Sequence, residues 1–370
     1  MSKVKLSEIG TFKNGLNFSA ERVLSGCKMI GVPDFGDNYL AKLDGLKEVD
    51  EDIVSTDYLL QDNDILFVRS NGNKNLVGRA MLIEKIKEKV TFSGFCIRFR
   101  ITNNNVNPLY MLYLFKSPLF RKLFSNTQQT SISNLNQEIL GNIEVELPII
   151  GQQNRIVKVI HGITRKIENN KRINDNLEQQ IKTIFTFQFL QNANTEWKQQ
   201  SLAELSEMYQ PKTISGKDLI ADGNYFVYGA NGIIGKYNQY NHSESEIAVA
   251  CRGASCGSIQ MTLPFSWITG NAMVVKPHSD FPYREYLYYY LLAKNPNYLC
   301  SGSAQPQLTR ENLTLYSLKV PSTTELNAFE SYAEKVRKII IKNQQENIEL
   351  STLRDWLLPM LMNGQATISD

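Results

Sequence analysis

The stretch Ile156–Ile184, IVKVIHGITRKIENNKRINDNLEQQIKTI, decides how the rest of the chain is read. Ile156, Ile160, Ile163, Ile167, Asn170, Asn174, Leu177, Ile181 and Ile184 succeed one another at alternating steps of four and three, the spacing of a heptad seam along one side of a helix. A second stretch repeats those steps through Phe329, Ala333, Val336, Ile340, Asn343, Asn347, Leu350, Arg354 and Leu357. The seams are offset by 173 residues (329 − 156), and so are the prolines ahead of them, Pro148 and Pro321 (321 − 148). The asparagines that interrupt each seam coincide as well. Arg354 departs from the pattern, and Leu353 is expected to take over its packing.

Each pattern runs for roughly 38 residues, about 57 Å of helix. A seam of that length needs a partner, and the other copy is the only equivalent one in the sequence. Antiparallel pairing would give a dumbbell with pseudo-two-fold symmetry. Buried asparagines Asn170, Asn174, Asn343 and Asn347 would fix register at some cost in stability. The plainer alternative is that each seam packs on its own globular domain.

Working outward, the sequence between the seams echoes that before the first. Leu6-Ser7-Glu8-Ile9 matches Leu202-Ala203-Glu204-Leu205. Ile65-Leu66-Phe67-Val68-Arg69-Ser70-Asn71-Gly72 matches Ile247-Ala248-Val249-Ala250-Cys251-Arg252-Gly253-Ala254, each a strand running into a glycine loop. Further strands follow (Gly78–Ile83 and Gly257–Met261, then Phe95–Ile101 and Ala272–Lys276), then an aromatic helix and a strand ending at the proline. With 370 residues the chain exceeds what one core usually supports. The expected fold class is α+β: two globular domains with mixed, strand-rich cores, separated by two long helices in an antiparallel coiled coil. The expected divisions are residues 1–150 and 197–321 for the globular domains, 151–191 and 322–360 for the helices, and 361–370 for a tail.

Forty Lys+Arg against 37 Asp+Glu leave a net charge of +3, which excludes a polycation and also a strongly acidic DNA mimic. No run approaches the ~20 apolar residues of a membrane span. The first residues, MSKVKLSEIG, lack the apolar stretch of a signal peptide, and Cys27, Cys96, Cys251, Cys256 and Cys300 form an odd, scattered set. The expected compartment is the cytoplasm.

The doubled order of domain and long helix, with Asp64-Ile65-Leu66-Phe67-Val68-Arg69-Ser70-Asn71-Gly72, Leu147-Pro148-Ile149-Ile150-Gly151-Gln152-Gln153-Asn154-Arg155-Ile156 and the closing Leu357-Leu358-Pro359-Met360-Leu361-Met362-Asn363-Gly364, resembles the specificity subunit of type I restriction-modification systems. The resemblance spans the whole chain. It weakens in the second copy, where Val320-Pro321-Ser322-Thr323-Thr324-Glu325-Leu326 lacks the glutamine and Glu246 stands near the place of Asp64. It implies two target recognition domains, each reading one half of a bipartite, interrupted site in double-stranded DNA. The helices would scaffold methyltransferase subunits, two in number, and a restriction and translocase subunit would join the full complex. The chain would be non-catalytic and bind no cofactor; S-adenosylmethionine, ATP and Mg²⁺ would sit on the partners.

Several motifs look like chemistry and read better as structure. Asn107-Pro108-Leu109-Tyr110 and Asn295-Pro296-Asn297-Tyr298 mimic an adenine-methyltransferase box but have no glycine-rich cofactor turn upstream. Pro33-Asp34 is followed by no acidic-x-Lys pattern. Ala230–Tyr237 nearly spells a phosphate loop, yet Ala230 and Tyr237 replace its first glycine and its metal-binding hydroxyl. Cys251 and Cys256 have no second pair, and His161, His242 and His278 are far apart, so no metal site is expected. The tyrosines Tyr286, Tyr288, Tyr289 and Tyr290 suit helix packing better than base stacking.

The loops carry the residue types that read DNA, since Arg contacts guanine and phosphate while Asn and Gln pair with adenine. One cluster is Arg69, Ser70, Asn71, Asn73, Lys74 and Arg79; its counterpart is Asn231, Lys236, Arg252 and Ser255. The glutamine loops, with Gln128 and Gln129 in the first copy and Gln305 and Gln307 in the second, form a further candidate surface. The same residues also suit solvated turns, and a two-headed adaptor gripping a protein or glycan is the competing function.

Overall fold

The computed structural model describes residues 2–17, 26–36, 39–73, 76–121, 135–302 and 305–368. The chain divides into two compact units, Met1–Ile167 with Ile348–Asp370, and Glu168–Asn347.

In the first unit β1 (Ser2–Lys5) pairs with β9 (Glu144–Leu147). An antiparallel sheet has the order β2 (Gly10–Asn14), β8 (Cys96–Ile101), β5 (Ile65–Val68), β6 (Ala80–Leu82). A second sheet has the order β4 (Lys47–Asp50), β3 (Gly26–Ile30), β7 (Val90–Phe92), with β3 and β7 parallel. The second unit repeats all three: β10 (Lys198–Ser201) with β18 (Ser317–Val320); β11 (Ser206–Tyr209), β17 (Ala272–Pro277), β14 (Ile247–Ala250), β15 (Ile259–Met261); and β13 (Gly232–Tyr237), β12 (Tyr225–Gly229), β16 (Trp267–Ile268), the last two again parallel. The internal repeat is therefore one of strand order and direction as well as of residues. The two β5-type strands are apolar and buried at every residue, as a strand covered on both faces requires.

The aromatic helices follow, Pro108–Lys116 and Arg284–Ala293. Asn107 caps the first by accepting from the Tyr110 amide, with Pro108 in the first turn where its missing N–H costs nothing. Asn295 caps the turn Pro296–Leu299 in the same manner, so both Asn-Pro motifs serve helix starts. Tyr286 and Tyr289 are wholly buried. The Ala230–Tyr237 stretch is the β12–β13 hairpin turn and its second strand.

The long helices are Ile150–Phe185, continued as a π-helical turn through Thr186–Gln191, and Thr323–Met362. Ser322 and Glu325 cap the second reciprocally. Within the second unit they run antiparallel, since low numbers meet high: Asn170 Nδ2 donates to Asn347 Oδ1 at 3.0 Å and Asn343 Nδ2 to Asn174 Oδ1 at 2.8 Å. Within the first unit Ile156 and Ile160 share a core with Leu358, Leu361 and Met362. The seam also packs on the globular cores, as Ile156 and Ile160 do on Tyr110 and Tyr113, and Ile181 on the aromatic cluster around Phe185 and Tyr286.

Two expectations fail. Leu353 is 42% exposed and does not replace Arg354. Arg354 keeps its place because its guanidinium lies over Tyr39, 5.4 Å from the ring centroid, and pairs with Asp355; a long side chain can pack its stem and keep its charge solvated. The cysteines are not all scattered either, because Cys256 and Cys300 are joined in a disulfide while Cys27, Cys96 and Cys251 are free and buried.

Candidate nucleic-acid interface

The site is built where β5 and β14 end. In the first unit the Arg69 amide donates to Phe95 O at 2.7 Å and its guanidinium to Gly94 O at 3.3 Å. Asn71 Oδ1 accepts from the Asn73 amide at 2.8 Å, which folds the loop as an Asx turn. Gly78 returns the chain at φ +79°, a conformation that favours glycine, and donates to Val68 O. Arg69, Ser70, Asn71 and Arg79 are half-buried and Asn73 is exposed. Lys74, Gln128 and Gln129 lie outside the described residues. The Leu135 amide donates to Arg69 O at 2.8 Å. That bond ties the residue after the first glutamine loop to the start of the Arg69 loop.

The second unit makes the same junction with its glutamine loop in view. Leu308 N donates to Cys251 O at 2.9 Å, Gly253 N donates to Pro306 O at 3.0 Å, and Arg252 bridges Gln307. Two surfaces that sequence reading separates, the Arg252 loop and the Gln305–Gln307 loop, are thus one surface, on which Arg252, Gln305 and Gln307 are exposed and Ser255 is half-buried. The Cys256–Cys300 disulfide ties the same loop to the segment before Gly302. Asn231 is exposed at the hairpin tip. Lys236 is at the other end of that strand, ~16 Å away at ~3.3 Å per residue, with its ammonium 5.6 Å from the Phe226 ring.

Sheet register explains the motif acid. Asp64, 1% exposed, holds Arg100 in a two-pronged pair with both N–O distances at 2.7 Å. In the repeat the corresponding residues are Glu246 and Lys276, because Ile65 faces Phe99 as Ile247 faces Val275. Burial raises the Glu246 pKa, and Lys276 and Arg284 oppose that rise. The acid is therefore buried on the strand approach in both copies, paired with Arg100 in the first and in the field of Lys276 in the second.

Each long helix also reaches back to the start of an aromatic helix. Gln153 Oε1 accepts from the Asn107 amide at 2.8 Å, while its Nε2 donates to Pro148 O. The second copy lacks that glutamine, and Glu330 stands in for it, its two oxygens accepting from the amides of Glu285 and Tyr286 at 2.8 and 3.1 Å. Burial pushes the Glu330 carboxyl up to about 7. Beside it Arg337 binds Glu285, Glu178 and the Tyr289 hydroxyl. Burial works against its cation, but the carboxylates outweigh burial and raise its pKa.

Among the described residues no group of three or more His, Cys, Asp or Glu side chains could hold a metal, and no helix is long and apolar enough to cross a membrane. Each unit therefore carries a basic and amide-bearing loop at the end of its own four-stranded sheet. Residues 1–179 and 194–351 match the type I restriction modification DNA specificity domain, and the chain belongs to that family. It is 20% identical, over 96% of its length and 91% of the relative's, to the putative type I restriction enzyme MjaX specificity subunit of Methanocaldococcus jannaschii. It is 30% identical to the EcoprrI specificity subunit of Escherichia coli over 34% of its own length and 32% of that protein's. The fold matches the type I restriction-modification S subunit of M. genitalium with a TM-score of 0.63 at 15% identity, covering 100% of this chain and 96% of the other.

Proposed function

We propose that this type I specificity subunit reads a bipartite, interrupted site in double-stranded DNA, one half-site per unit, and that its long helices scaffold two methyltransferase subunits to which restriction and translocase subunits add. The chain itself carries no catalytic group in this reading. Catalysis and its S-adenosylmethionine, ATP and Mg²⁺ belong to the partners, and the complex works in the cytoplasm. The observation that carries the reading is the bond repeated at the start of each glycine loop, Leu135 on Arg69 and Leu308 on Cys251. It sets Arg252 beside Gln307 on one exposed strip, and arginine with an amide is a base-reading combination.

Methylation sequencing of a host carrying the chain and its partners identifies the motif. Binding of the assembled complex is then titrated on duplexes bearing it. Asn71→Ala is expected to weaken discrimination in one half-site and Arg252→Ala in the other, each by ~1–3 kcal/mol for a bidentate base pairing removed. The logarithm of the binding constant should fall with the logarithm of salt. Both variants altering the same half-site, or binding without any salt slope, would remove this reading in favour of a protein- or glycan-binding adaptor.

A further inference from the structure

Phe95 is 60% exposed, whereas Phe67, Phe92 and Phe99 of the same unit are fully buried. A lone exposed phenyl is ordinary on a protein surface; its setting is not. Phe95 is the third residue of a turn closed by Cys96 N donating to Ser93 O at 2.8 Å. Gly94 before it is pressed against the chain at residues 16–17, where a Cβ would come within 1.9 Å of Asn17 Oδ1. Arg69 then fastens the turn to the candidate loop, taking Phe95 O with its amide and Gly94 O with its guanidinium.

The second unit repeats the turn's backbone bonds, without the side-chain bond that Arg69 adds in the first. Ala272 N donates to Thr269 O at 2.9 Å, a Cβ on Gly270 would lie 2.6 Å from Thr213 Oγ1, and Asn271 O accepts from the Cys251 amide at 3.0 Å. Asn271 is exposed, and its amide makes no hydrogen bond among the described residues. The backbone of this position is thus fixed identically twice, while the side chain is free to differ. Packing explains neither residue. The two chemistries are those that separate bases in the major groove, an apolar surface for the thymine C5-methyl and a paired donor and acceptor for the adenine N6/N7 edge. Beside Phe95 lies a hollow of about 350 Å³ lined by Met29, Val32, Pro33 and Asn71, with Asp34 and Lys47 also on the lining. Most of the surface it exposes is apolar, which suits a methyl group.

We propose that this turn residue is a base-contacting specificity position in both units, Phe95 meeting a thymine methyl and Asn271 the edge of an adenine. The proposal rests on the reading of the units as half-site readers. In the test, the assembled complex is titrated on motif duplexes in which each thymine in turn is replaced by uracil, or each adenine by 7-deazaadenine. Wild type is expected to lose about fourfold in affinity at one uracil position in one half-site, the worth of one buried methyl. At one deazaadenine position in the other half-site it should lose about tenfold, the lower part of the range for a bidentate pairing. Phe95→Ala should abolish the uracil sensitivity alone, and Asn271→Ala the deazaadenine sensitivity alone, with unchanged unfolding midpoints because both side chains are exposed. A half-site without thymine, or variants that keep the wild-type sensitivities, would overturn the proposal while Asn71→Ala and Arg252→Ala still act. A wild-type complex with no sequence preference would instead overturn the function on which it rests.

Discussion

Replacing Glu330 by glutamine tests how the second unit compensates for its missing motif glutamine. The carboxyl is 6% exposed and accepts two backbone amides, yet its pKa stands at about 7 against an ordinary 4.5, chiefly because burial disfavours the charge, with Glu285 and Glu334 adding repulsion. The folded protein therefore holds a proton that the unfolded chain releases between pH 4.5 and about 7. Stability from this group is fully present below pH 4.5, declines through that window and is level above it. At ~1.4 kcal/mol per pKa unit the decline is ~3 kcal/mol. Glu330→Gln stays neutral and gives up one of two amide hydrogen bonds, which costs ~1 kcal/mol. Relative to wild type it should be ~1 kcal/mol less stable at pH 4.5 and ~2 kcal/mol more stable at pH 8. Urea unfolding in a Trp356→Phe background reports the second unit through Trp197, which packs on Phe189, and Trp267. A variant-minus-wild-type difference that stays constant from pH 4.5 to 8 would refute the assignment.

Two further perturbations address the helices. Arg337→Met strips the counter-charge from Glu285, whose side chain is 0% exposed, and should cost ~3–5 kcal/mol in the same unfolding assay, with part regained in Arg337→Met/Glu285→Gln. Asn174→Leu leaves Asn343 without its partner and should cost ~1–3 kcal/mol, whereas Asn174→Leu/Asn343→Leu should recover or exceed wild-type stability; a double variant less stable than the single one would show that the pair acts through something other than its mutual hydrogen bond.

What is legible in the sequence follows from periodicity. Steps of four and three place Asn170 against Asn347 and Asn174 against Asn343 because helical geometry leaves few alternatives once the chain is antiparallel. Periodicity says less about how one seam position is filled, and so Arg354 looks like a defect until Tyr39, over three hundred residues away, is seen beneath it. Glu330 is hidden for a similar reason, since its role belongs to Gln153 in the other copy and moves to another face position. Residue type points to the loops but not to their union, because Arg252 and Gln307 meet through bridges that no local pattern encodes. Phe95 escapes sequence reading since a phenylalanine opening a strand reads as core; the signal lies in the preceding glycine and in the repeat, where Asn271 holds the same place.

The division of the chain has a consequence for its synthesis. The second unit is one continuous stretch, Glu168–Asn347, but the first closes its core with Leu358, Leu361 and Met362. A ribosome delivers residues 1–167 before the second unit and the residues that close their core after it. Until then the apolar faces of Ile156 and Ile160 lack those partners while the second unit emerges and folds. Chains released before residue 358 would carry a finished second unit and an open first one, and such exposed apolar surface invites aggregation or capture by chaperones. Of the two units, the one begun first is completed last.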